Sequence, residues 1–152
     1  MLRIGILGCG DFANRHATII STLPERAQLT AFCDRNEWKA RAFTDKYAPG
    51  TGAVYTAHRE MFDRAKLDAV LICLPPYGHT DEVELASARG LHFLIEKPIA
   101  LKSEDAWRMV AAAEQAGVKT QVGFMLRFGA AVDRFHALQR EGRTGETGLL
   151  TA

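Results

Sequence analysis

Leu2-Arg3-Ile4-Gly5-Ile6-Leu7-Gly8-Cys9-Gly10-Asp11-Phe12-Ala13 decides how the rest of the chain is read. Leu2 to Leu7 is a short apolar run with the length of a buried strand. Gly8 and Gly10 break it, and from Phe12 to Leu23 apolar residues recur at helical spacing until Pro24. Gly8, Gly10 and Ala13 fit G-x-G-x-x-G/A in the strand–turn–helix setting that gives this pattern meaning. Gly8 permits the tight turn, Gly10 lets the backbone approach a pyrophosphate, and Ala13 keeps the helix against the sheet. The helix start offers free N–H groups and the positive end of its dipole to phosphate oxygens. The whole loop, Gly8, Cys9, Gly10, Asp11, Phe12 and Ala13, is therefore a candidate cofactor contact.

A pair of turn glycines with no ligand is the competing reading, and the next element argues against it. Ala27 to Cys33 is a second apolar run closed by Asp34, about 20 residues past Ala13, where a ribose-binding carboxylate belongs. Its oxygens suit the adenosine ribose hydroxyls and would repel a 2′-phosphate, which favours NAD. Arg35 pulls the other way, because a guanidinium suits a phosphate, so NADP stays open as the alternative. Asp34 could also simply close an Asx turn.

Beyond Asp34 the chain keeps alternating. Glu37 to Tyr47 reads as helix, Ala53 to Tyr55 as a short strand, and Asp68 to Leu74 as the strongest strand, stopped by Pro75-Pro76. His79 to Ala88 reads as helix with Gly90 beyond its end, and Leu91 to Ile95 as strand. Ser103 to Ala116 reads as helix, with Ser103 at the N-cap and Glu104 and Asp105 in the first turn. Val118 to Phe124 is a further strand and Ala130 to Arg140 a further helix. This alternation predicts an α/β, Rossmann-type doubly wound parallel sheet. In such sheets ligands bind beyond the carboxyl ends of the strands. Gly8-Cys9-Gly10, Asp34, Pro75-Pro76 and Glu96-Lys97-Pro98 each follow a predicted strand.

Composition excludes several classes. The 152 residues carry a formal net charge of +1, with no basic stripe for nucleic acid and no polybasic membrane patch. No apolar stretch approaches the roughly 20 residues of a membrane helix, and the start lacks a signal-peptide layout. Cys9, Cys33 and Cys73 show neither CxxC pairing nor metal-ligand spacing, so no metal is expected and a cytoplasmic protein is. Cys9 has no evident base to make it a nucleophile. His16, His58, His92 and His136 are expected to be surface or packing residues, and Trp38 and Trp107 to pack.

Four stretches resemble the Gfo/Idh/MocA family of oxidoreductases. They are Ile4 to Ala13 with His16 beyond it, Ala69 to His79, Glu96-Lys97-Pro98-Ile99-Ala100, and Gln121 to Phe128. The resemblance spans essentially the whole chain, and the E-K-P segment is its most specific part. It implies that Lys97 lies where nicotinamide meets substrate and serves as the catalytic residue, stabilising charge on the reacting oxygen. It implies that Glu96 lies near the nicotinamide ribose and that Pro98 follows a cis peptide bond. Leu74, Pro75 and Pro76 would form the turn beneath the cofactor. His79 would cap the next helix near it, and Arg127 would border the nicotinamide and substrate pocket. The implied substrate is a sugar, a polyol such as inositol, or a related hydroxyl or carbonyl compound.

Family members are usually more than twice this long, with a second, α+β substrate domain that supplies most of the substrate pocket and a histidine. That domain is expected to be largely missing: residues 1–141 read as the NAD(P)-binding domain and 142–152 as the start of the second, with Leu149-Leu150 opening its first strand. A piece of a longer oxidoreductase fits this better than a complete small nucleotide-binding protein. Little or no turnover is expected of the 152 residues by themselves. A full-length form is expected to be a homo-oligomer and this chain a monomer. A non-catalytic dinucleotide-binding or redox-sensing module is the rival function.

Overall fold

The computed structural model describes residues 1–146. β1 (Leu2–Leu7) occupies the middle of a six-stranded sheet in the order β3-β2-β1-β4-β5-β6, with every pairing parallel. β2 is Ala27–Cys33, β3 Ala53–Tyr55, β4 Ala69–Ile72, β5 His92–Ile95 and β6 Thr120–Val122. The order reverses between β1 and β4, which opens a crevice at the carboxyl edge of those two strands. This is the doubly wound sheet that the sequence predicts.

Alternation along each central strand serves two cores. Ile4, Ile6, Leu29, Phe32 and Leu71 pack on one side with Ala13 and Ala17 of α1 (Asp11–Ile20) and Ala40 of α2 (Glu37–Tyr47). Leu7, Ala31, Cys33, Val70, Ile72 and Phe93 pack on the other. They meet Met61 and Phe62 of α3 (His58–Arg64), Val83 and Ala86 of α4 (Glu82–Ala88), and Met109 and Ala113 of α5 (Ser103–Ala116). The small residues on α1 let the glycine-loop helix approach the sheet closely, since Ala13 and Ala17 are fully buried. α6 (Ala130–Arg140) follows a 3₁₀ turn and buries none of its residues.

The first strands agree with expectation residue for residue, and several other boundaries differ. α1 stops at Ile20, because Thr22 and Leu23 close a turn onto the Ile19 and Ile20 carbonyls. α3 is an element the sequence does not announce, since seven residues with one buried pair, Met61 and Phe62, carry little periodic signal. α4 begins at Glu82 rather than His79, because Pro76–Gly78 form a 3₁₀ turn and the Glu82 carboxylate takes up the Thr80 N–H at 2.8 Å. Ser103 is not the N-cap of α5. Extended Lys102 holds that place, and the Ser103 hydroxyl donates to Glu104 at 3.3 Å. β4 and β6 are shorter than the strands expected at Asp68 to Leu74 and Val118 to Phe124. Trp38 and Trp107 do not pack: they are 74% and 70% exposed, on the outward sides of α2 and α5. The expected strand at Leu149-Leu150 lies outside the described residues. No helix among the described residues is long and apolar enough to cross a membrane.

Candidate dinucleotide cleft

Hydrogen bonds of the sheet continue past the strand ends and set the cleft floor. The Gly8 N–H donates to the Cys33 carbonyl at 2.8 Å, Cys73 to Leu7 at 2.8 Å, and Glu96 to Ile72 at 2.9 Å. The segments after β1, β2, β4 and β5 therefore lie side by side. Two adjoining cavities, of about 540 and 240 Å³, run along them and share Gly10, Cys73, Leu74 and Pro75. Gly8, Asp34 and Arg35 line the larger one, and Asp11, Phe12, Pro76, Glu96 and Lys97 the smaller.

The two loop glycines differ in what they answer to. Gly8 has φ +88°, and a Cβ there would lie 2.6 Å from the Cys73 carbonyl oxygen, so the fold itself demands glycine. Gly10 has φ −104°, open to any residue, and a Cβ there would meet nothing within 4 Å. The space in front of Gly10 is a cradle that a side chain would fill, which fits a close-lying pyrophosphate. With Gly10 at the N-cap, no side chain takes up the first N–H groups of α1.

Asp34 braces this loop. Its Oδ2 accepts the Cys9 N–H at 2.9 Å and its Oδ1 accepts the Asn36 N–H at 2.8 Å. The Asx turn is thus real, and each carboxylate oxygen keeps a lone pair for a further donor. Arg35 and Lys39 stand on the same cavity wall, as do Thr56, Ala57 and His58. Burial pushes the Cys9, Cys33 and Cys73 thiols up to about 12, so none is a poised thiolate.

Lys97 sits at the opposite end, with its Nζ 5.4 Å from the centroid of the Phe12 ring. Arg15 lies 5.3 Å from the same ring. Glu96, beside it, is only 6% exposed. Its Oε1 accepts from His16 Nε2 at 2.7 Å and its Oε2 from the Lys97 N–H at 3.3 Å. A Cβ on Gly123, past β6, would lie 2.7 Å from the Glu96 carboxylate, so that glycine makes room for it. The Lys97–Pro98 peptide bond is cis.

Five expected contacts are not in the lining. The Cys9 and Ala13 side chains point into the core, and Pro98 is exposed beyond Lys97. Arg127, exposed on the 3₁₀ turn after β6, lines neither cavity. His79 turns away: its Nδ1 pairs with fully buried Glu82 at 2.5 Å, and it borders a separate cavity of about 340 Å³. Sequence reasoning overlooks Lys39, a first-turn residue of α2 that also lines the larger cavity. It also sets His16 aside as a surface or packing residue, although the ring is bonded to the cleft carboxylate. His58 likewise bonds Asp81 at 2.8 Å and lines the larger cavity. Among the described residues no cluster of His, Cys, Asp or Glu could hold a metal ion.

A doubly wound sheet with this loop, carboxylate and crevice defines a dinucleotide-binding domain of the Rossmann class. The profile of the oxidoreductase family with an NAD-binding Rossmann fold, Gfo/Idh/MocA, matches residues 2–124, and the chain belongs to that family. An inositol 2-dehydrogenase from Arthrobacter sp. (strain FB24) is 33% identical over 150 residues, covering 98% of this chain and 44% of the relative. A crystal structure of scyllo-inositol dehydrogenase from Lactobacillus casei, with bound NAD(H) and scyllo-inositol, superposes with a TM-score of 0.87 at 30% identity. It is matched over 96% of this chain and 43% of that one. A 3-ketoreductase from Actinomadura kijaniata, in complex with NADP and TDP-benzene, gives a TM-score of 0.80 at 27% identity over 93% of this chain and 42% of that one. The chain therefore spans less than half the length of these relatives.

Proposed function

We propose that residues 1–141 form the nucleotide-binding domain of an NAD(P)-dependent oxidoreductase acting on a sugar, a polyol or a related hydroxyl or carbonyl compound. One observation carries this reading: the braced carboxylate of Asp34 and the ammonium of Lys97 line two adjoining cavities that meet at the open cradle of Gly10. Gly8, Gly10 and the start of α1 would hold the pyrophosphate, and Asp34 the adenosine ribose. Leu74, Pro75 and Pro76 would lie under the cofactor, and Glu96 would face the nicotinamide ribose. Two of the relatives are inositol dehydrogenases, one of them with scyllo-inositol bound, and a third is a 3-ketoreductase, which supports the substrate class.

When bound, the nicotinamide supplies the hydride acceptor or donor. Lys97 places its ammonium beside the reacting substrate oxygen and stabilises the negative charge that develops there. Phe12 holds that ammonium at the cleft mouth through its ring face. Asp34 favours NAD, whereas Arg35 and Lys39 offer charge to a 2′-phosphate.

The test is a chimera in which residues 1–146 replace the matching part of the Arthrobacter inositol 2-dehydrogenase. The chimera is expected to reduce NAD⁺ with inositol. Lys97→Ala in it is expected to lower kcat by two or more orders of magnitude, roughly the loss seen when a charge-stabilising donor is removed. Its NAD⁺ affinity should stay within a few-fold. A chimera that binds NAD⁺ and turns over normally without Lys97 would end that residue's role.

A further inference from the structure

Glu96 is the one buried charged residue in the cleft lining, and a buried carboxylate needs partners. Its tighter partner comes from outside its own segment. His16 Nε2, at 2.7 Å, projects from α1 six residues after Gly10, on the helix whose first turn faces the phosphate cradle. The side chains are 25% and 7% exposed, so the contact is largely shielded from water. A carboxylate oxygen only accepts here, so the imidazole donates from Nε2. That bond engages Oε1. The other oxygen has the long Lys97 N–H contact at 3.3 Å and keeps a lone pair for a further donor.

Gly123 closes the arrangement from the other side, since any side chain there would run into the carboxylate. The pair thus ties the phosphate-loop helix to the peptide that carries Lys97. The other buried His–Glu contact, His79 with Glu82, does not line the dinucleotide cleft.

We propose that His16 is a positioning residue. Acting through Glu96, it fixes the Glu96-Lys97 turn and leaves the remaining lone pair of Glu96 Oε2 for the hydroxyls of the nicotinamide riboside half, while the adenosine half is indifferent to it. This rests on the dinucleotide reading of the cleft. A purely structural tie between α1 and β5 would instead loosen the whole phosphate loop and weaken every nucleotide alike.

Calorimetry with NAD⁺ and with ADP, which lacks the nicotinamide riboside, separates the two. For His16→Ala the NAD⁺ affinity is expected to fall about tenfold, the effect of losing a hydrogen bond to a charged group, with ADP affinity unchanged within about twofold. His16→Gln, which keeps an amide donor, is expected to recover most of the loss. In the wild-type chain, NAD⁺ but not ADP should shift the His16 ring resonances in nitrogen-edited NMR spectra. A parallel fall for both ligands, or an unchanged ratio in both His16 variants, would overturn the proposal. Should the folded wild-type chain bind neither ligand, the dinucleotide reading itself would fail and take this inference with it.

Discussion

Two glycines two residues apart in one loop answer to different constraints. Gly8 is required by the chain: its φ is positive and a Cβ would strike the Cys73 carbonyl oxygen. Gly8→Ala is therefore expected to destabilise the fold by about 2 kcal/mol or more, read from urea denaturation. Gly10 has no such conflict. Gly10→Ala should change stability by less than about 1 kcal/mol, because the N-cap penalty and the gain in chain entropy are of similar size. It should nevertheless cripple dinucleotide binding. The three thiols, pushed up to about 12, should resist iodoacetamide at pH 8 in the native chain and react after unfolding. At this scale the loop and Asp34 are legible in the sequence from their spacing after two strands, whereas Glu96 and Lys97 are legible only through the resemblance of their segment to the family's E-K-P signature. His16 is not. It meets Glu96 across 80 positions of sequence, and only the packing of α1 against the sheet brings them together.

Strand alternation explains why the elements around the crevice are readable. Val70 and Ile72 serve one core and Leu71 the other, so β4 reads as an unbroken apolar run. α3 escapes notice because two turns expose more than they bury, and the start of α4 is obscured by the 3₁₀ turn at Pro76–Gly78 and the hydrogen bond that the Thr80 N–H donates to Glu82. Between elements, Arg3 of β1 clamps Asp68 ahead of β4 with two side-chain bonds, at 3.0 and 2.7 Å, and its own N–H at 2.7 Å. Those bonds hold the Asp68 carboxyl well below the usual carboxylate range. A depressed folded pKa contributes stability above the unfolded value of about 3.9 and loses it as pH falls through the folded one. The urea midpoint of the wild type should thus drop below pH 4, and Asp68→Asn should drop less steeply over that range while being less stable at pH 7. Equal slopes in the two proteins would remove Asp68 from the acid response.

For the molecule as a whole, strand order places the functional segments more firmly than any single motif does. The reversal between β1 and β4 brings the glycine loop, the Asp34 end of β2 and the Pro75 turn to one crevice, and β5 adds Lys97 at its far end. His79 and Arg127, carried over by position from the family resemblance, line neither part of the cleft. Everything functional proposed for this chain depends on that cleft holding a dinucleotide with its pyrophosphate against Gly10. Calorimetric titration of the wild-type chain and of Gly10→Ala with NAD⁺ tests this most directly. The expected result is saturable one-to-one binding by the wild type, weakened roughly tenfold or more in a variant of unchanged stability. Equal NAD⁺ affinity in the two folded proteins, or no binding by the wild type, would contradict it.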